Sequence, residues 1–463
     1  ASSAVMATRS DDQKSTGNLT LASDVIVRTG KGDIHLASGG DLVLVDQTSV
    51  IYTVGEGNGT GYYTADIMDF TLLPDGPQFP SQGGDIEVNV AEDIVAAVSD
   101  QYFTDWLQRM GGQISTTGSG DEIPGMWAVV LDDFEQGIAT LGGGDIIVNA
   151  GGDISNITLS TPTTGQITSI GPDEVTVRGG GDITVSSGGD IRSARILADR
   201  GEAVIRARGD VGADAGGLNT LIALGDATVD IEAGGDIAIE GIGNITTLPL
   251  STLQTNNFIK LQEGANTPYF FTYSDRTSVE LLSHYGDIIL NNDLEAIKTT
   301  TSNRLASSPV LPWSYYPGEV AATTLTGGIA VNNQFTLFPD ADGDLRLTSA
   351  GDIVSREQHS TRSQVFVSVS DVAIASLPSL YEPTNNLDNT SIRLGPGTTD
   401  QSLLHDFNGP LHVDDVEPLR IAANGDIIAN GELKIRSPKA AQVIAGGDII
   451  DFGIEIQNIS CLL

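Results

Sequence analysis

Apolar and polar residues alternate along this chain in short runs, and nearly every run is entered through Gly-Asp or a close variant. Residues 179–210 show the unit most plainly: GGGDITVSSGGDIRSARILADRGEAVIRARGD. Gly181, Asp182 and Ile183 are restated eight residues later by Gly189, Asp190 and Ile191; Gly201 with Glu202, and then Gly209, Asp210 and Val211, follow. Ile-x-Val puts two apolar side chains on one side of an extended strand. Glycine permits the positive φ of a tight turn, and a short Asp carboxylate bonds to nearby backbone N–H groups. The pattern therefore predicts short strands joined by turns, repeated many times. That is an all-β solenoid, read as a right-handed parallel β-helix with loop insertions.

In chain order, residues 1–30 are read as an N-terminal arm or first coil, 31–455 as a single β-helix, and 456–463 as its C-terminal end. Breaks in the pattern predict insertions at about 54–82, 95–140, 251–283, 295–325 and 354–420. Within the second, the apolar spacing of 99–111 fits a short helix. From 141 to 250 the repeat is cleanest, and no Phe, Trp or Tyr occurs between Glu135 and Asn257. A narrow core of Ile, Val, Leu and Ala accounts for that. Each coil buries its apolar side only against its neighbours, and coils stack at about 4.8 Å, so roughly a dozen would make a rod of about 50–65 Å.

Composition sharpens the picture. The chain has 463 residues, 55 of them Gly, and only 5% aromatics. With 23 Lys+Arg against 61 Asp+Glu its formal charge is −38, which disfavours nucleic acid and anionic membranes as partners and favours basic partners or divalent cations. The one cysteine, Cys461, allows no intrachain disulfide, and thiol avoidance suits an extracellular protein. No apolar run reaches the ~18 residues of a membrane helix. The chain opens on Ala without a leader, which reads as a mature or excised piece of a longer precursor.

Several residues are candidates for chemistry. The repeated Asp resembles calcium-binding solenoids only loosely, because the Gly-Gly-x-Gly-x-Asp nonapeptide never occurs; turn capping is the simpler role. Asp340, Asp342 and Asp344 alternate as oxygen ligands of a calcium loop would, but an EF-hand glutamate is lacking, since Gly351 stands at position twelve. Calcium is therefore the one cofactor in view. Trp106, Trp313, Tyr315 and Tyr316, with Tyr62 and Tyr63, are candidates for a carbohydrate or partner surface, or else pack insertions onto the rod. Asp132 with Asp133, and Asp414 and Asp415 with His412, are the acids a polysaccharide-cleaving β-helix would need. The five histidines, His35, His284, His359, His405 and His412, show no metal spacing. No catalytic signature appears, and the chain is not read as an enzyme. The sequons at Asn58, Asn156 and Asn244 need the right host to be glycosylated, and Asn156 and Asn244, which fall in the repeat, are given no role.

The GGDI units with their alternating aliphatics, TLFPDADGDLRLTSAGDI (336–353), SDVAIASLPSLYEP (370–383) and FTYSDRTSVELLSHYGDIIL (271–290) together resemble the filamentous-haemagglutinin-like exoproteins of bacteria. The likeness runs from about 30 to 455 and is strongest after 270. It implies a right-handed parallel β-helix, an outer-membrane secretion partner, an extracellular or cell-surface location and an adhesive or structural role. That family's secretion domain carries Asn-Pro motifs, and this chain has none, so the resemblance implies an internal or C-terminal part, or another export route. The partners expected are a cell-surface or glycan ligand, or copies of the chain itself. Three classes follow: a rod segment of a secreted adhesin, a filament protomer stacking end to end, and, least favoured, a polysaccharide-acting enzyme.

Overall fold

The computed structural model describes residues 17–58, 78–99, 101, 103–114, 121–135, 137–167, 175–213, 219–244, 273–291, 315–332, 334–356, 365–371, 411–412 and 414–456. They form a parallel β-helix with three faces. Face A begins with strands such as Ile34–Ser38, Ile86–Val90, Ile146–Ala150 and Ile183–Ser187. Face B carries Leu42–Leu44, Ile94–Ala96 and Ile154–Ser155, and face C carries Val50–Thr53, Ile138–Thr140 and Thr158–Thr161. Ten successive parallel pairings join eleven strands on face A.

The period of two fixes the core. On face A the inward positions stack as Ile34, Ile86, Ile146, Ile183, Ala203, Val229, Val279, Val320 and Leu345. Face B stacks Leu42, Ile94, Ile154, Ile191, Val211, Ile237 and Ile288. Most of these side chains are fully buried in one continuous core. Among the described residues, aromatic side chains enter it only from Tyr273 onward: Tyr316 stacks on Phe335 at 4.3 Å and Tyr273 meets Phe338 edge-on at 5.4 Å.

The Gly-Asp unit works differently from its sequence reading. At the corner from face A to face B, each Asp Oδ1 accepts the backbone N–H of the Asp one coil later. The bonds run Asp93 N to Asp41 (3.2 Å), Asp153 N to Asp93, Asp190 N to Asp153, Asp210 N to Asp190 and Asp236 N to Asp210 (2.8 Å each). Asp287 N continues this to Asp236 at 2.7 Å. Gly328 then interrupts the row, which resumes from Asp352 to Asp426 to Asp448. A shorter row at the corner from C to A joins Asp33, Asp85, Asp145, Asp182 and Glu202. The capping is thus between coils rather than within one turn. The preceding glycine is needed for close approach: at Gly152, Gly189, Gly209, Gly235 and Gly447 a Cβ would collide with the Oδ1 of the Asp one coil back. None of these five has a positive φ; among the described Gly-Asp and Gly-Glu glycines, Gly144 and Gly201 do, both at the C-to-A corner.

The corner from A to B is never longer than four residues, from 39–41 in the first coil to 446–448 in the last. Every long connection between described rod strands adjoins face C. Between C and A lie 54–85, 162–182, 244–277 and 370–418; between B and C lie 97–137 and 291–314. Two of these meet. Strands Leu107–Ile114, Asp121–Val129, Thr163–Ile167 and Val175–Gly179 form a four-stranded antiparallel sheet beside the rod. The second pair interrupts 141–250, the stretch where the repeat is cleanest in sequence. The stretch read as a helix at 99–111 is a single turn, Phe103–Trp106, running into strand Leu107–Ile114. Rod strands also lie inside stretches read as insertions: Ser278–Ser283, Glu319–Thr324 and Val365–Val369. Of the two readings of residues 1–30, the described part is a first coil, with strands Leu19–Leu21 and Ile26–Thr29 paired into the rod.

Candidate functional site

Face C bears the side sheet, and a second apolar cluster joins them. Tyr52, Ala139, Leu197 and Ala223 point outward from face C against Phe103, Trp106, Leu107, Trp127 and Phe134. Trp106 meets Phe134 edge-on at 5.1 Å, and Phe134 meets Tyr52 at 5.3 Å. Gly165 lies under the Trp127 ring, where a Cβ would overlap it. The Trp127 indole N–H donates to Thr163 Oγ1 (3.1 Å). Thr163 in turn donates from its hydroxyl (2.7 Å) and its backbone N–H (2.9 Å) to Asp199 Oδ2. Asp199 is fully buried, and that burial pushes its carboxyl up to about 6, against the opposing bonds from Thr163. This Trp127–Thr163–Asp199 chain ties the side sheet to the rod.

The aromatic surface candidates fare as follows. Trp106 and Tyr316 are wholly buried, so neither offers a ring face to a ligand; each packs structure instead. Burial drives the Tyr316 phenol well above its ordinary range. Tyr315 lies on the short strand Tyr315–Tyr316, while Trp313, Tyr62 and Tyr63 fall outside the described residues.

The candidate calcium ligands do not converge. Asp340 packs against Gly318 and accepts the Asp342 N–H at 3.0 Å within its own turn. Burial pushes its carboxyl up to about 6. Asp344 faces a cation the chain itself supplies: Lys439 Nζ lies 3.7 Å from Asp344 Oδ1, 2.6 Å from Asp415 Oδ2, and donates to the Gly343 carbonyl at 2.9 Å. Burial raises Asp344 despite Lys439 and Arg346. Burial also acts upward on Asp415, but the bond to Lys439 and its other partners outweigh it and hold that carboxyl below its usual range. The ammonium charge is thus spent mainly on Asp415. Among the described residues no group of three His, Cys, Asp or Glu side chains is arranged to hold a metal ion.

Of the candidate acids, Asp415 does meet His412. His412 is buried, with its Nδ1 3.4 Å from Asp415 Oδ2 and its backbone N–H donating to Asp371 at 3.0 Å. Asp133 is raised by burial first and then by Asp132 and Asp105. His35 pairs with Glu87 (3.1 Å) and His284 with Glu232 (2.8 Å), both between neighbouring coils. Asn244 is buried and donates to the Leu224 carbonyl, Asn156 holds a turn at φ 59°, and Asn58 ends the strand Glu56–Asn58. Asp199 and Lys439 escaped the sequence reading, because neither belongs to a motif. No described helix is long and apolar enough to cross a membrane.

Comparison with models of known families, with curated proteins and with solved structures gave no match. The chain's own geometry therefore carries the functional reading.

Proposed function

We propose that this chain is the rod segment of a secreted bacterial surface protein of the filamentous-haemagglutinin-like kind, with a structural and adhesive role. One observation carries the reading: every long connection between described rod strands adjoins face C, while the A-to-B corner stays at three or four residues in every coil. A rigid stack with one decorated side is how solenoids present binding surfaces. The repeated acids support a mechanical role, because their Oδ1 atoms are occupied by amides of the next coil. The ligand, a cell-surface molecule or glycan, belongs to the face C side in this reading. The four-stranded sheet bound there through Trp127, Thr163 and Asp199 supplies the broadest described part of it.

The test is fractionation of the native host. Antibody against the rod should find the protein in the medium or on intact cells, and brief protease treatment of those cells should remove the cell-bound pool. Protein found only inside protease-resistant, intact cells would overturn the proposal.

A further inference from the structure

Lysine is among the residues least often buried, yet the Lys439 side chain keeps only 1% of its surface exposed. It sits at the C-to-A corner 438–440, and the carboxylates around it come from the two corners before it. Asp415 belongs to the return of 370–418, and Asp344 to 338–344. Asp415 Oδ2 lies 2.6 Å from Nζ and Asp344 Oδ1 3.7 Å from it. The Gly343 carbonyl accepts from Nζ at 2.9 Å and so fixes where the nitrogen stands. His412, whose side chain is wholly buried, places its Nδ1 3.4 Å from Asp415 Oδ2. Taking an ion pair this far out of water costs hydration that mutual attraction repays only in part, and Asp344 adds a further acid to the same buried corner. A neutral link between the two partners would remove that cost.

We propose that Lys439 and Asp415 condense into an intramolecular amide, a covalent cross-link between two successive corners that the folded chain forms by itself. Within the ion pair one proton moves from Nζ to Asp415 Oδ2, leaving a neutral amine against a neutral carboxyl. Nζ then attacks Cγ of Asp415, and the C–N bond forms. The nitrogen gives a second proton to Asp344, which passes it to Oδ2; the Cγ–Oδ2 bond breaks and Oδ2 leaves as water. One amine and one carboxylic acid become one amide and one water. Asp344 ends as it began, and nothing is oxidised or reduced.

The surroundings suit each step. Burial drives the Asp344 carboxyl upward, the direction that fits a group taking up and handing on a proton near neutral pH. His412 stands beside the departing oxygen. Groups held in reacting position reach effective molarities of up to about 10⁸ M. Exclusion of water from the corner works against the reverse hydrolysis. The product would fasten the return of 370–418 to the next corner of the rod, at the side where the long connections leave.

The inference is independent of where the rod is displayed, so cell fractionation does not bear on it. Its test is the intact mass of the purified full chain, denatured for the measurement after its far-ultraviolet signal has shown it folded. Expected is a mass one water below that of the sequence. Trypsin should then fail to cut after Lys439 and yield a branched peptide joining Lys439 to Asp415. Lys439→Met and Asp415→Ala should each restore the sequence mass. Asp344→Asn should close about a hundredfold more slowly, so that freshly purified chain still carries the sequence mass. A folded chain at the full sequence mass would overturn the proposal. So would a water lost equally in Lys439→Met, since Asp342-Gly343 can lose one by cyclising on its own backbone. Asp344→Asn already closed on purification would overturn the proton transfer through Asp344.

Discussion

The close-approach role of glycine makes a sharp prediction at Gly209. A Cβ there would collide with Asp190 Oδ1 and lie 3.0 Å from its Cγ and 3.2 Å from the Gly189 carbonyl oxygen. The backbone is not in the left-handed region, so strain at φ is not the issue. Gly209→Ala must therefore push the Asp190 carboxylate away and break the 2.8 Å bond from the Asp210 N–H. A hydrogen bond to a charged acceptor contributes about 1.5–3 kcal/mol, reduced here because the corner is exposed to water. Against it, Ala for Gly stabilises by about 0.4–1 kcal/mol through the unfolded chain. The net expectation is about 1–2 kcal/mol of destabilisation. Gly32 opens the same Gly-Asp-Ile unit, but a Cβ there meets nothing within 4 Å, because no described coil lies below it. Gly32→Ala should be neutral or stabilising by up to about 1 kcal/mol. A double-mutant cycle isolates the cause: in an Asp190→Ala background the colliding oxygen is absent, and Gly209→Ala should cost little. Urea midpoints read the difference, with amide exchange at Asp210 as a local probe because long repeat arrays need not unfold in one step. Equal cost in both backgrounds, or equal cost at Gly32 and Gly209, would refute the reasoning.

Asp199 predicts an acid-side gain in stability. Its folded-state value near 6 lies above the ordinary 3.8, so the folded chain keeps a proton that the unfolded chain has lost between those values, and stability falls as pH rises through that window. The full penalty above pH 6 is on the order of 3 kcal/mol. Asp199→Asn, which retains an acceptor for Thr163, should raise the urea midpoint at pH 7.5 and flatten the profile between pH 4 and 6; an unchanged slope would remove Asp199 as its source. Asp153 acts oppositely: the Asp190 amide and then Arg192 lower its value, so its contribution is lost as pH falls below the ordinary carboxylate range, visible as a downturn in the same profile. Gly165→Ala should displace Trp127 at a cost of about 1–3 kcal/mol, red-shifting its fluorescence while the far-ultraviolet signal of the rod persists. Tyr316→Ala, which removes a buried ring stacked on Phe335, should cost about 3–5 kcal/mol in thermal or urea unfolding.

The rod was legible because its repeat is local. Ile-x-Val after Gly-Asp states a strand and its inward side at once, and the β-helix that follows is what the structure has. The partner of each Asp was not legible. The acceptor and donor of one rung lie 20 residues apart at Asp190 and Asp210 but 74 apart at Asp352 and Asp426, so no fixed spacing announces them. Two rod strands were missed: Val365–Val369 has no Gly-Asp entry, and Glu319–Thr324 is entered through Gly318-Glu319, the variant also seen at Gly201-Glu202. The hairpin inserted at 162–182 did leave a trace. Asp145 and Asp182 are 37 residues apart where Asp190 and Asp210 are 20 apart, and the excess is that hairpin. Exposure of the aromatic residues could not be read from their type: Trp106 lies in an excursion that packs its ring against face C, and Tyr316 lies on a rod strand with its ring in the core. Lys439 is more remote still, since it reaches Gly343, 96 residues earlier, across the intervening coil that begins at Leu419.

The central claim is that coils stack in one register, so that outward residues of neighbouring coils face each other. Paired cysteines test it most directly. On face A, Asn149 pairs with Ser186, and Ser186 pairs with Arg206 one coil further on. Adjacent strands put the first two Cα atoms about 4.8 Å apart, within disulfide reach, whereas Asn149 and Arg206 are about 10 Å apart, beyond it. With Cys461→Ser as background, mild oxidation should close an intramolecular bridge in Asn149→Cys/Ser186→Cys and none in Asn149→Cys/Arg206→Cys. Bridging in the second pair, or failure of the first in a folded chain, would contradict the stack.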